Sequence, residues 1–267
     1  MMILFIYSIF LLNIFSHVAA FNQKEGDEVT FTVIYDNYSS SEQCIGDWGF
    51  SCLIEGMEKT ILFDTGTKPE IFKKNLENLS IDIGDIDLIV ISHNHGDHTG
   101  GLPIILEQET DLPLYIPGSV EDAFLDRFNA SQEHTIPVAE PVEICKGVFS
   151  TGEMGVSIKE QSLLIDTPKG LVILTGCSHQ GIENIVEKTS EISDQQIYMV
   201  FGGFHLLNHS PEQVEDIIDI FLKYSVQKCG ATHCTGEDAI MMFKEAYGND
   251  FVTIGAGKMI KIQNGFK

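Results

Sequence analysis

The stretch that most constrains this chain is IVISHNHGDHTGGL, residues 89–102, where three histidines and an aspartate fall within six residues. The residues just before this cluster, 87–91, form a short apolar run typical of a strand buried on both faces. Side chains two apart on an extended segment point the same way, so His93 and His95 are predicted to converge on one point.

The second half of the cluster turns away from that strand. Gly96 lets the backbone bend, so Asp97 and His98 can reach a second point nearby. Imidazole and carboxylate ligands together suit zinc, manganese or iron, and nine histidines in the whole chain make such clustering a poor match to chance. We therefore predict one arm of a site for two divalent metal ions, zinc first, with manganese or iron as alternatives.

The remaining sequence alternates groups of strands with helices. Strands are predicted at 28–35, 50–54, 60–63, 87–91, 156–158, 162–166, 171–175 and 197–201, and near 251 and 259–262. Helices are predicted at 69–79, 99–107, 120–128, 182–188, 211–224 and 237–247. This order favours an α/β fold, an αββα sandwich of two mixed β-sheets flanked by helices.

The first twenty residues differ in character from the rest. The apolar run from Ile3 to Phe15 is too short for an ordinary membrane span, and Val18-Ala19-Ala20 offers a signal-peptidase site. No Lys or Arg precedes the run, so an uncleaved anchor is the alternative. We predict a signal peptide at 1–20, one domain at 21–267, and a secreted, secretory-pathway or periplasmic location.

The net charge narrows the classes of molecule that this protein can bind. The net charge of −23 repels nucleic acid and anionic membrane, so we expect a small-molecule substrate, no nucleic acid and no membrane after signal cleavage. Any attraction for phosphate must be local, and a bound metal is the obvious source.

The six cysteines include no CxxC pair. Cys44 and Cys52 flank a glycine-containing turn and are the candidate local disulfide.

Three later segments each place a histidine just before or after a predicted element. They are GCSH at 176–179, GGFH at 202–205 and THCTG at 232–236. The histidines His179, His205 and His233 are therefore expected at the rim of the same sheets as the first cluster. Together with that cluster they favour a shared metal site.

These motifs resemble a known family. SHNHGDHTGGL is similar to the His-x-His-x-Asp-His signature of the metallo-β-lactamase superfamily, and FDTG at 63–66 is similar to the turn before it. LTGCSHQGIENIV, VFGGFHLL and ATHCTGE resemble the branch that contains the dihydropterinyl-methyl ribofuranosylaminobenzene phosphate synthases. The resemblance covers nearly all of the chain after residue 20.

The resemblance implies roles for the clustered residues. His93 and His95 match the ligands of a first ion, and Asp97 with His98 those of a second. His233 resembles the late histidine that completes the second ion. Asp97 is also expected to orient the metal-activated water and take its proton.

This chain departs from the family pattern at two places. No histidine lies in 152–161, where one usually completes the first ion, so His179 is assigned to that role. Cys177 stands where the family has an aspartate that bridges both ions. The bridging ligand is left open between Cys177, His205 and water, and Asp64 is expected to orient a ligand imidazole or the loop of the first motif.

The expected activity is hydrolysis of an ester, lactone or phosphodiester by a metal-activated water. The branch implies an alternative, a transferase that uses a dihydropterin diphosphate, although export would argue against it because pterin precursors are cytosolic. A metal-dependent oxidoreductase is a further alternative, against which His95 counts, because the di-iron type has Glu there. A binding module without catalysis is the last. Trp48 is predicted either to pack or to stack on a flat substrate, and His134 and His209 to be surface residues.

Overall fold

The computed structural model describes residues 28–263, so the predicted signal peptide and its boundary at residue 21 lie outside the described residues. The strands are β1 (Glu28–Tyr35), β2 (Ser51–Glu55), β3 (Ile61–Phe63), β4 (Leu88–Val90), β5 (Leu114–Pro117), β6 (Thr135–Val138), β7 (Val142–Cys145), β8 (Val148–Ser150), β9 (Leu163–Thr167), β10 (Gly170–Thr175), β11 (Ile197–Gly203), β12 (Lys228–Thr232) and β13 (Met259–Gln263). The α-helices are α1 (Pro69–Leu79), α2 (Gly96–Thr99), α3 (Leu102–Leu106), α4 (Glu121–Phe128), α5 (Ile182–Ile192), α6 (Pro211–Lys223) and α7 (Glu237–Tyr247).

The strands form two mixed sheets. The first has seven strands in the order β13-β1-β2-β3-β4-β5-β6, and the second has six in the order β12-β11-β10-β9-β8-β7. The neighbours β3, β4, β5 and β6 run parallel in the first sheet, and β10, β11 and β12 run parallel in the second. The predicted α/β sandwich of two mixed sheets flanked by helices is confirmed.

Alternation along β1 shows how the layers are built. Phe31 lies in the core between the two sheets, where its ring packs edge-on against Phe201 of the second sheet at 5.3 Å. Ile34, with the opposite orientation, lies in the core under the helices of the first sheet. A third apolar core joins the second sheet to α5, α6 and α7. Burying a phenylalanine such as Phe31 stabilises the fold by about 1.5–3 kcal/mol. The apolar core between the sheets therefore favours the arrangement in which these faces of the two sheets pack together.

Some predicted elements differ from the structure. The predicted strand at 156–158 is absent, because Val156 is 95% exposed and the segment bends between the bridged pair Met154 and Glu160. The predicted helix at 99–107 is broken into α2 and α3 at Gly100 and Gly101. A Cβ on Gly100 would overlap the carbonyl oxygen of Thr67, so the chain needs glycine for this close approach.

The predicted disulfide between Cys44 and Cys52 is wrong. All six cysteines fall within residues 28–263, and all are free. The side chain of Cys52 points from β2 into the core between the sheets, whereas Cys44 lies in the preceding loop. Within residues 28–263 no helix is long and apolar enough to cross a membrane.

Candidate metal centre

Polar residues gather where the parallel strands of both sheets end. The chain leaves β3 at Asp64 and β4 at the loop of residues 92–98, which we call the motif loop. In the second sheet, β10, β11 and β12 are followed by Cys177, His205 and His233. Because parallel strands present their carboxyl ends at one edge, side chains from both sheets meet along one rim of the sandwich.

Four non-glycine residues at this rim have left-handed backbone conformations. Asp64, Ser178, His205 and His233 have φ values of 55°, 65°, 55° and 51°. Such conformations cost about 1–2 kcal/mol for most residues and persist where the surrounding structure requires them. They cluster at the strand ends that form this rim, as expected of a functional site.

One group of side chains consists of His93, His95 and His179, and we call it the first group. Its ligand-type atoms all lie within 4.8 Å of one another. Nε2 of His93 lies 3.1 Å from Nδ1 of His95, and the ring centre of His179 lies 4.7 Å from that of His93. The motif loop thus supplies two imidazoles and the second sheet supplies the third.

The second group consists of Asp97, His98, Cys177 and His233. Sγ of Cys177 lies 3.2 Å from Nε2 of His98 and 3.4 Å from Nε2 of His233. Oδ2 of Asp97 lies 3.5 Å from Nε2 of His233 and 3.8 Å from Nε2 of His98. One carboxylate, one thiol and two imidazole nitrogens therefore point at the same small volume.

The other ring nitrogen of each histidine in the second group is held by a partner behind it. Nδ1 of His98 lies 2.7 Å from Oδ2 of Asp64, and Nδ1 of His233 lies 2.8 Å from Oδ1 of Asn37. An acceptor at Nδ1 leaves Nε2 free to bind an ion. In the ion-free chain burial raises the pKa of Asp64 to about 8, and an ion on His98 would favour the carboxylate instead.

Glu160 is one of the residues of this site that sequence analysis missed, and Asn37 is another. Glu160 is fully buried, and its carboxylate accepts hydrogen bonds from the backbone N–H groups of Cys177, Ser178 and His179 at 2.7, 2.8 and 2.9 Å. It also lies 3.0 Å from Nδ1 of His179 and 3.9 Å from Nδ1 of His93. Burial opposes its ionisation, but His93 and His179 together hold its pKa below the usual range.

The protonation states suit metal binding. Burial lowers the pKa of both His93 and His98 to about 3, so both imidazoles are neutral at neutral pH. Burial alone would raise the pKa of Asp97, but His233, His98 and Trp48 together lower it, so Asp97 is ionised. Neutral imidazoles beside a carboxylate and a thiol are a donor set that fits zinc.

The remaining candidates lie outside both groups. His205 is exposed; its ring centre is 4.4 Å from that of His179, and its ligand atom lies within 4.8 Å of Cys177 and Cys234. His209 is exposed, and His134 is partly buried with its Nε2 3.6 Å from the exposed Asp111. Neither His209 nor His134 belongs to either group.

Comparisons with known proteins agree with this geometry. The sequence profile of the metallo-β-lactamase superfamily matches residues 49–164. The 7,8-dihydropterin-6-methyl-4-(β-D-ribofuranosyl)-aminobenzene-5'-phosphate synthase of Methanocaldococcus jannaschii is 32% identical over 80% of this chain and 89% of its own length. An uncharacterized protein of the same archaeon is 31% identical over 86% of this chain and 99% of its own length.

A solved structure is similar as well. The crystal structure of Tm1679, described as a metal-dependent hydrolase of the β-lactamase superfamily, matches with a TM-score of 0.73 and 28% identity. The match covers 88% of this chain and 99% of Tm1679.

The predicted secreted, secretory-pathway or periplasmic location is wrong. Both of these relatives are archaeal proteins, and one is a synthase of a phosphorylated pterin compound, whose precursors are cytosolic. The argument for export rested mainly on the first twenty residues, and those lie outside the described residues.

The alignment with the synthase spans most of both chains, and the matched profile includes the motif loop. The fold, the two groups of ligand-type side chains and these similarities agree. The chain therefore belongs to the metallo-β-lactamase superfamily of metal-dependent enzymes.

Proposed function

We propose that this enzyme is a transferase that joins a dihydropterin-methyl group to an aminobenzene nucleophile. The donor is the dihydropterin-methyl diphosphate and the acceptor is ribofuranosylaminobenzene phosphate. A bond forms between the amine nitrogen and the methylene carbon, the bond from that carbon to the diphosphate oxygen breaks, and the amine loses a proton. This proposal is supported by the 32% identity with the synthase over most of both chains.

The geometry of the rim supports a diphosphate leaving group. The two ligand groups lie side by side, since the rings of His93 and His98 are 4.2 Å apart between centres. Two divalent ions, which we propose to be zinc, would neutralise the charge that develops on the departing diphosphate. The first group would hold one ion and the second group the other.

The protein's own residues would handle the proton and the orientation of the ligands. The side chain of Asp97 is ionised and 18% exposed, so the attacking amine can reach it. Its low pKa makes it a weak base, but the amine nitrogen becomes strongly acidic as the new bond forms, and Asp97 would take its proton at that stage. Trp48 donates a hydrogen bond from its indole nitrogen to Oδ2 of Asp97 at 2.8 Å, which fixes the direction of the carboxylate. Glu160 and Asp64 fix the imidazoles from behind.

We propose that Cys177, rather than His205, takes the place of the missing bridging carboxylate. Cys177 points at His98 and His233, whereas His205 lies outside the first and second groups. A metal-bound thiolate resists alkylation. Chelation should therefore expose Cys177 to iodoacetamide, and Cys177→Ser should lower metal affinity more than His205→Ala; the reverse order would assign the role to His205.

The test of the transferase is pyrophosphate release by the metal-loaded protein with both substrates present. We expect release to require donor, acceptor and metal together, and to stop on chelation. The coupled product is identified by mass spectrometry. Release from the donor alone, at the same rate with and without acceptor, would refute transfer and indicate hydrolysis.

Hydrolysis is the second candidate function. It is favoured by the match to Tm1679, which is described as a metal-dependent hydrolase and is 28% identical over 88% of this chain. The same Asp97 could then take a proton from water instead of from an amine. Esters, lactones and phosphodiesters without an acceptor are the substrates that test it.

A further inference from the structure

Trp48 is the chain's one tryptophan, and it lies beside the second group. Its indole N–H donates to Asp97 at 2.8 Å, and its ring centre lies 5.0 Å from that of His233. The side chain is nevertheless 45% exposed. An indole that contacts two site residues while much of its surface remains open is not serving only as core packing.

The backbone on the C-terminal side of Trp48 is fixed to the motif loop. The N–H of Phe50 donates to the carbonyl of Asp97 at 3.2 Å, and a Cβ on Gly49 would lie only 2.7 Å from that carbonyl oxygen. The carbonyl of Trp48 itself accepts a hydrogen bond from the hydroxyl of Thr67. Residues 48–50 are therefore tied to the backbone of the motif loop.

Asn37 links the loop between β1 and β2, which contains Trp48, to the end of the second sheet. Its Oδ1 accepts a hydrogen bond from the N–H of Gly49 at 3.1 Å and lies 2.8 Å from Nδ1 of His233. Its Nδ2 donates to the carbonyl of His233 at 3.0 Å. On the N-terminal side, Asp47 pairs with Lys68 at 3.1 Å. The indole is thus held in place before any substrate arrives.

We propose that the exposed face of Trp48 is the surface on which the pterin ring of the donor stacks. This proposal rests on the proposed transfer from a pterin diphosphate. One methylene separates the pterin from its diphosphate, so a diphosphate held at the ligand groups brings the ring close to Asp97 and His233, the two residues that Trp48 contacts. Flat heteroaromatic rings gain much of their affinity from stacking on aromatic side chains.

The charge of the chain makes such a surface useful. A net charge of −23 repels the diphosphate at long range, so the phosphates alone would be a poor means of selecting the donor. The pterin ring is uncharged and is not repelled. Stacking on Trp48 would therefore distinguish a pterin diphosphate from other diphosphates that the same ions could bind.

The test compares two probes, 6-hydroxymethylpterin and inorganic pyrophosphate, on the metal-loaded full chain by calorimetry. Trp48→Leu should weaken pterin binding about tenfold or more relative to pyrophosphate binding, because stacking on an aromatic ring is lost. Trp48→Phe removes the indole N–H but keeps a ring, and should retain most of the pterin affinity. Ile45→Ala is the matched control, since Ile45 lies in the same loop and is also 45% exposed.

A second measurement needs no variant. Because the chain has one tryptophan, its indole N–H gives one assignable NMR signal, and stacking of the pterin should shift that signal through its ring current. Pterin binding that leaves the signal unmoved, or equal pterin affinity in wild type and Trp48→Leu, would overturn the proposal. Failure of pyrophosphate to bind the metal-loaded wild type would instead count against the proposed transferase.

Discussion

Glu160→Gln is the most informative single change at this site, because it removes one charge and keeps the shape. The carboxylate accepts from the backbone N–H groups of Cys177 and Ser178 through Oε1, and from the N–H and Nδ1 of His179 through Oε2. A glutamine has one oxygen and one NH₂ group. When Nδ1 of His179 carries the proton, as metal binding through Nε2 requires, the NH₂ in either orientation faces two donors that it cannot satisfy.

The cost follows from those two donors. Each lost hydrogen bond to a charged group is worth about 1.5–3 kcal/mol, and removal of a buried charge offsets part of the sum. We expect a net loss of about 3 kcal/mol, which for a domain of this size lowers the melting temperature by about 6–12 °C. His179 also loses its partner at Nδ1, so metal affinity should fall about 10- to 100-fold.

The assay has two parts. Thermal unfolding of the metal-free proteins measures the loss of stability, and a competitive zinc titration with a chromophoric chelator measures the loss of affinity. Glu153→Gln is the matched control: Glu153 lies on the same connection between β8 and β9, but its carboxylate contacts Ser119 and Lys159 instead of the site. A Glu160→Gln protein with the melting temperature and zinc affinity of the wild type would refute the argument.

Three further perturbations separate the metal site, the loop and the buried charges. His95→Ala should lose the ion of the first group and the activity, whereas His134→Ala should keep both; wild-type metal content in His95→Ala, measured by elemental analysis, would contradict the assignment. Gly100→Ala should lower the free energy of unfolding, measured in urea, by about 1–3 kcal/mol, because a Cβ there would overlap the backbone of Thr67. Gly118→Ala is the control and should be tolerated, because the nearest heavy atom to its Cβ would lie 3.6 Å away. Burial raises the pKa of Asp36 from 3.8 to about 6. The folded state therefore binds more protons than the unfolded state between those values, and stability falls as pH rises through this window. Asp36→Asn removes this pH-dependent contribution to the free energy of unfolding. The stability of the variant relative to the metal-free wild type should therefore improve by about 3 kcal/mol from pH 3 to pH 7. A difference in urea midpoints that does not change with pH would argue against this reasoning.

The strongest periodic segments of the sequence predicted their elements closely. The alternation of β1 and the spacing of α1 gave the bounds that the structure has, Glu28–Tyr35 and Pro69–Leu79. Hydrophobic periodicity did not predict several short strands. These include β5 to β8 and β12, which are three to five residues long. β7 is largely exposed or half-buried, and β6 contains a proline, so neither shows a buried period.

For the site, too, the sequence predicted the contacts between residues close together in the chain but not those between distant residues. The residue spacing of the motif loop was enough to predict that His93 and His95 converge, because both belong to one extended segment. Glu160 had no such signal: it is 17 residues from Cys177 in sequence and reaches the site only because β9 and β10 pair antiparallel beneath it. A lone glutamate in a loop is usually solvated, and only the fold shows that this one is buried.

Both ligand groups take side chains from both sheets, and this has a consequence for stability. The first group joins His93 and His95 of the motif loop to His179 after β10, and the second joins Asp97 and His98 of that loop to residues after β10 and β12. An ion bound in either group would therefore tie the two sheets together at their rim. Binding to the folded chain alone stabilises it by about 2.7 kcal/mol when the free ion is at 100 times its dissociation constant. The ions that would act on the substrate would thus also hold the rim of the sandwich closed, and the dense hydrogen bonding of Asp64, Asn37 and Glu160 behind the ligands would keep that rim in place before an ion binds.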